Sequence, residues 1–85
     1  MADRAEVAER VIEIVAEKMD KPKEEISEEK YLVNDLGADS LDKLEVIMDI
    51  EDEFARSIPE DEAQKIVTIG DAINYVTEHA GEKSE

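Results

Sequence analysis

The sequence has no cysteine, no tryptophan, one phenylalanine, two tyrosines, two prolines and three glycines among its 85 residues. Without cysteine there can be neither a disulfide framework nor a thiolate metal site, and the redox state of the compartment is of no consequence to the fold. Positive charge is also scarce. Ten Lys and Arg stand against 25 Asp and Glu, a formal charge of −15, which disfavours nucleic acid and anionic membranes and favours partners with basic patches. No apolar run approaches the ~18 residues of a membrane span, and the first residues, MADRAEVAER, lack the apolar centre of a signal peptide. A soluble, unprocessed chain compatible with the cytoplasm is expected. A chain this short buries only roughly 60–65% of the surface its unfolded form exposes, so a deep catalytic cleft is not expected. The hydrophobic fraction of 41% is nevertheless that of a folded domain and not of an acidic disordered tail.

The apolar residues that are present recur with helical period. Val7, Ala8, Val11, Ile12, Val15, Ala16 and Met19 form one broad stripe and predict a helix over 4–19, with Asp3 as cap and Glu6 completing an Asp variant of the capping box. Asp20-Lys21-Pro22 should end it, because proline cannot donate the helical bond and restricts the residue before it. The following stretch to Asp39 has no steady period, and Ile26, Tyr31, Leu32 and Leu36 are its expected anchors. A second helix is predicted over about 40–55, capped by Asp39, with Asp42 in the first turn where the helix dipole favours negative charge. Val46, Ile47, Ile50 and Phe54 fall on one face and read as core. Leu41, Leu44, Met48 and Ala55 fall on roughly the opposite face, either to touch the long loop or to remain available to a partner.

Ile58-Pro59 leads into a short helix over about 60–66. Thr68 with Asp71 signals the cap of a last helix, in which Ile69, Ala72, Ile73, Val76 and Ala80 share a face until Gly81 stops it. A charged, flexible tail over 81–85 is expected to follow. Nothing alternates with strand period, so the expected architecture is all-α: one domain, a small bundle of three longer helices and one short one.

The chemistry centres on Ser40, a hydroxyl between two acids where turn residues give way to a helix. Its bland reading is that of a polar residue at a helix start. Other readings fail on particular residues. The run Gly37-Ala38-Asp39-Ser40-Leu41 differs from a GDSL-type esterase motif by an inserted alanine. His79 is the only histidine and sits near a helix C-terminus, which argues against a Ser-His-Asp triad. A calcium loop starting at Asp35 would need Gly and Glu where Ser40 and Val46 stand, so no dedicated metal site and no catalytic residue is expected. Between Asp39 and Glu62 there are ten acids and two bases, a density beyond what solubility requires. An acidic, charge-mimicking interaction protein without a prosthetic group is the alternative these residues leave open.

The run DLGADSLDKLEVIMDIEDEF, from Asp35 to Phe54, resembles the prosthetic-group site and recognition helix of acyl carrier proteins, and the resemblance extends from Val7 to about Tyr75. It implies that Ser40 carries 4′-phosphopantetheine, whose thiol holds an acyl chain, for fatty-acid or related polyketide or lipid biosynthesis. It further implies that Asp39, Leu41 and Asp42 help a phosphopantetheinyl transferase recognise the site. Leu44, Glu45, Met48, Glu51, Asp52, Ile58 and Glu60 match positions that meet acyl-chain-processing enzymes through basic docking patches. The implied molecule is a freestanding, monomeric, cytoplasmic carrier and not an enzyme. Lys43, Asp49, Leu32 and the turn Ala55-Arg56-Ser57 depart from the common pattern of such carriers, away from the attachment site.

Overall fold

A computed structural model describes residues 3–78. Four α-helices follow one another: α1 (Arg4–Met19), α2 (Ser40–Phe54), α3 (Glu60–Lys65) and α4 (Ile69–Glu78), with one 3₁₀ turn at Lys23–Glu25. α1 packs against both α2 and α4. The bundle has the expected three longer helices and one short one. Among the described residues the isolated β pairing is a single antiparallel bridge between Tyr31 and Thr68, and no helix is long and apolar enough to cross a membrane. His79, Ala80, Gly81 and the charged tail lie outside the described residues.

The stripes read from the sequence meet in one core. Val7, Val11, Val15 and Ala16 of α1 close on Val46, Ile47 and Ile50 of α2 and on Ile69, Ala72, Ile73 and Val76 of α4, all buried. Phe54 packs against this cluster while remaining partly exposed. α3 buries no side chain of its own. Ile58 before it and Ile66 after it are buried instead, so the short helix is pinned from its two ends.

Helix ends follow short-range chemistry, with one correction. The Asp3 carboxylate accepts from the Ala5 N–H at 3.4 Å, not from that of Glu6, and the box expected at α1 is not the bond found there. Reciprocal boxes do close α2, through Asp39 and Asp42, and α4, where the Asp71 N–H donates to Thr68 Oγ1 at 3.0 Å and the Thr68 N–H to Asp71 Oδ2 at 3.1 Å. α1 ends before Pro22 is reached: Asp20 adopts a left-handed conformation with φ 57°, its N–H donating to Ala16 and Glu17 carbonyls. Ala55 ends α2 in the same way with φ 53°.

The long loop before α2 is tied to the other end of the chain. The Leu32 N–H donates to Val67 O at 3.0 Å, the Ile69 N–H to Lys30 O at 3.1 Å and the Gly70 N–H to Glu28 O at 2.8 Å. Ile26, Leu32 and Leu36 anchor it as expected, but Tyr31 leaves 46% of its surface exposed. Tyr31 anchors through its backbone bridge and not its ring. Ala38, which periodicity did not single out, is 2% exposed and seats the chain immediately before Asp39.

Candidate functional site

The approach to Ser40 is fixed from both sides. The Tyr31 N–H donates to Asp35 Oδ2 at 2.8 Å, the Gly37 N–H to Val33 O at 3.1 Å and the Ala38 N–H to Leu32 O at 2.9 Å. These bonds wind residues 31–37 into a turn that leaves through Gly37 at φ 78°, a conformation that glycine adopts without a Cβ penalty. Leu36 and Ala38 point into the core, and Asp39 emerges as the cap of α2.

Asp39 Oδ1 accepts from the Asp42 N–H at 2.8 Å, while Asp42 Oδ2 accepts from the Asp39 N–H at 3.2 Å. Both carboxylates beside the serine are therefore turned to the backbone. Ser40, the first residue of α2, is exposed. None of the hydrogen bonds among the described residues engages its hydroxyl. A phosphodiester on this oxygen would meet the free N–H groups of a helix start, worth about 0.3–1 kcal/mol for an anion, with open solvent on the other side. The residues thus fit a 4′-phosphopantetheine group: Ser40 would hold it covalently, and the capping box keeps the hydroxyl at the helix start. When bound, the group supplies the thiol on which acyl chains are held.

Leu41, Leu44 and Met48 are 60%, 54% and 54% exposed, so the second apolar stripe of α2 does not pack on the long loop. Acids flank it unequally. Asp52 and Glu60 are exposed. Glu45 shares the Lys18 ammonium of α1 with Asp49, at 3.6 and 3.3 Å, and Lys18 is held above its ordinary pKa chiefly by its hydrogen bond to Asp49. Glu51 Oε2 accepts from the Ile58 N–H at 2.7 Å. Ile58, matched by resemblance to the partner surface, is 7% exposed, so its side chain belongs to the core below that surface. Sequence spacing carries no signal for the Lys18 bridge or the Glu51 bond, since each joins separate elements. The capping box at Asp39 and Asp42 did have one, the D-x-x-D spacing.

Between α2 and α3 runs an open groove of about 390 Å³ lined by Ser40, Lys43, Leu44, Ile47, Glu60, Ala63 and Gln64. Among the described residues no three His, Asp or Glu side chains are placed to hold a metal ion. Asp35 and Asp39, the nearest candidates, accept backbone N–H groups instead.

A small four-helix bundle with an exposed serine at the start of its second helix suits a carrier of a covalently held group, and comparison with known proteins shows the class. The family described as phosphopantetheine attachment site matches residues 9–76. An acyl carrier protein of Azobacteroides pseudotrichonymphae genomovar. CFP2 is 48% identical over 79 residues, covering 92% of this chain and 93% of that protein. The solved structure of the acyl carrier protein from Enterococcus faecalis superposes with a TM-score of 0.77 at 31% identity, covering 91% of this chain and 98% of the other. The chain belongs to the acyl carrier protein family, whose prosthetic group is 4′-phosphopantetheine. Its function is that of a carrier of acyl intermediates, which meets acyl-processing enzymes, and the alternative of an acidic protein without a prosthetic group is set aside.

Proposed function

We propose that Ser40 is the attachment point, that Asp39, Leu41 and Asp42 form the part recognised by a phosphopantetheinyl transferase, and that the protein is a single-domain, freestanding, monomeric, cytoplasmic carrier in fatty-acid or related biosynthesis. It performs no chemistry itself. Tethering confines an intermediate near each docked active site and replaces repeated diffusional search by a high effective concentration. Leu44 and Met48 supply short-range apolar contact, and Glu45, Glu51, Asp52 and Glu60 steer basic partners. The observation that carries the attachment site is the exposed Ser40 hydroxyl at the α2 start, inside the segment matched by the phosphopantetheine attachment family.

Incubation with coenzyme A and a phosphopantetheinyl transferase should add one phosphopantetheine to the intact protein, seen by mass spectrometry, and Ser40→Ala should abolish the gain. Loading at Ser27 or Ser57, or undiminished loading of Ser40→Ala, would move the site elsewhere.

A further inference from the structure

Glu51 carries three of the hydrogen bonds that shape the turn between α2 and α3. Its carbonyl accepts from the Ala55 N–H and from the Arg56 N–H at 3.0 Å, and its carboxylate accepts from the Ile58 N–H at 2.7 Å. The turn contains Ala55 at φ 53°, a left-handed conformation that a residue with a Cβ resists. Beyond it, α3 has little hold of its own. It is six residues long, its cap Pro59 offers no side-chain bond, and none of its side chains is fully buried, Ala63 alone packing on the core while partly exposed. The N-terminal end of α3 is therefore held by Ile58, seated in the core and bonded to Glu51. α3 in turn supplies Glu60, Ala63 and Gln64 to one wall of the groove whose other wall holds Ser40, Leu44 and Ile47.

We propose that Glu51 is a positioning residue that keeps α3 against α2 beside Ser40, and that a partner's guanidinium or ammonium group pairing with its carboxylate withdraws this hold and widens the groove. The bond from the Ile58 N–H is charge-assisted on the carboxylate side only, whereas a cation brings a second charge and a guanidinium engages both carboxylate oxygens at once, including the one that Ile58 holds. Docking on the acidic face is then coupled to access along the wall that the prosthetic arm passes. The coupling needs no travel through the core, because the residue that meets the partner is the residue that closes the turn.

The inference rests on the reading of α2 as the docking face, and the test separates the two. The full chain, loaded with its arm and labelled with ¹⁵N, is compared as wild type, Glu51→Gln and Glu51→Ala. Glutamine retains an acceptor oxygen and loses only the charge. Amide exchange at Ile58 and Ala63 should rise about tenfold in Glu51→Ala and stay near wild type in Glu51→Gln, with Val11 and Ile73 unchanged. When a phosphopantetheinyl transferase is titrated into the wild-type carrier, the Ile58 amide proton should move to the position it has in free Glu51→Ala. Equal exchange in the two variants, or an Ile58 amide that holds its free position in the complex, overturns the proposal. Should the docking reading itself be at fault, Asp52→Lys would leave transferase binding unchanged; if only the Glu51 coupling is wrong, Asp52→Lys weakens binding while the Ile58 amide holds its place.

Discussion

The guanidinium of Arg4 joins three segments that are distant in sequence. Nη1 and Nη2 donate to the two Glu28 carboxylate oxygens at 2.9 Å each, while Nε and Nη2 donate to Asn74 Oδ1 at 3.2 and 2.8 Å. The first turn of α1 is thereby tied to the long loop and to α4, at the place where Gly70 comes against Glu28. A Cβ on Gly70 would stand 3.1 Å from the Glu28 carbonyl oxygen, which that glycine's own N–H already engages. The hydrogen bond from Arg4, ahead of its charge, holds the Glu28 carboxyl below its ordinary value of 4.5. A depressed folded-state pKa means that the pair contributes stability above the ordinary value and loses it as pH falls through the folded one. The stability difference between wild type and Glu28→Gln should accordingly be flat at neutral pH and vanish in the acid range below 4.5, as followed by urea titration at several pH values. A difference that persisted through that range would show that the Glu28 charge does not matter.

Among the elements, α2 shows most clearly how local chemistry and charge compete. Asp39 adds to an already excessive negative charge, yet its side chain caps the helix that presents Ser40. The cap should win. Asp39→Ala is expected to lower stability by about 1 kcal/mol in denaturant unfolding, and Asp39→Asn, which keeps an acceptor and removes the charge, to recover most of it. A stabilised Asp39→Ala would mean that charge repulsion outweighs the cap. The start of α2 was legible because capping acts within three residues, and the same short range made Thr68 and Asp71 legible at α4. It did not make Asp3 and Glu6 a box, since the carboxylate finds the Ala5 N–H instead. The ends of α1 and α2 were legible to within a residue but not their geometry: Asp20 and Ala55 adopt left-handed caps without the glycine that usually marks them.

For the whole molecule, the distribution of charge matters more than its sum. Arg4, Arg10, Lys18, Lys23 and Lys65 each pair with carboxylates, Lys18 reaching Glu45 and Asp49 of α2 and Arg10 reaching Glu53. The fold concentrates unbalanced negative charge along α2 and α3, beside the exposed Leu44 and Met48. Raising ionic strength from 0.01 to 0.15 M shortens the Debye length from about 30 to about 8 Å and should raise the melting temperature, as measured by circular dichroism. A melting temperature that falls with salt would mean that the ion pairs outweigh the repulsion.

Four helices, the inner faces of α1, α2 and α4, the caps at Asp39 and Thr68 and the place of Ser40 at the start of α2 were legible along the chain. All of these follow from hydrophobic period, capping and a motif, which act within about a turn of helix. Long-range packing alone turned Tyr31 to solvent, buried Ala38 and Ile58, and brought the Glu51 carboxylate to the turn before α3. It also decided that the second stripe of α2 stays open and that Arg4 reaches Asn74. Such outcomes depend on groups brought together across tens of residues, where competition among many possible contacts is settled by packing, and no local pattern records which of them wins.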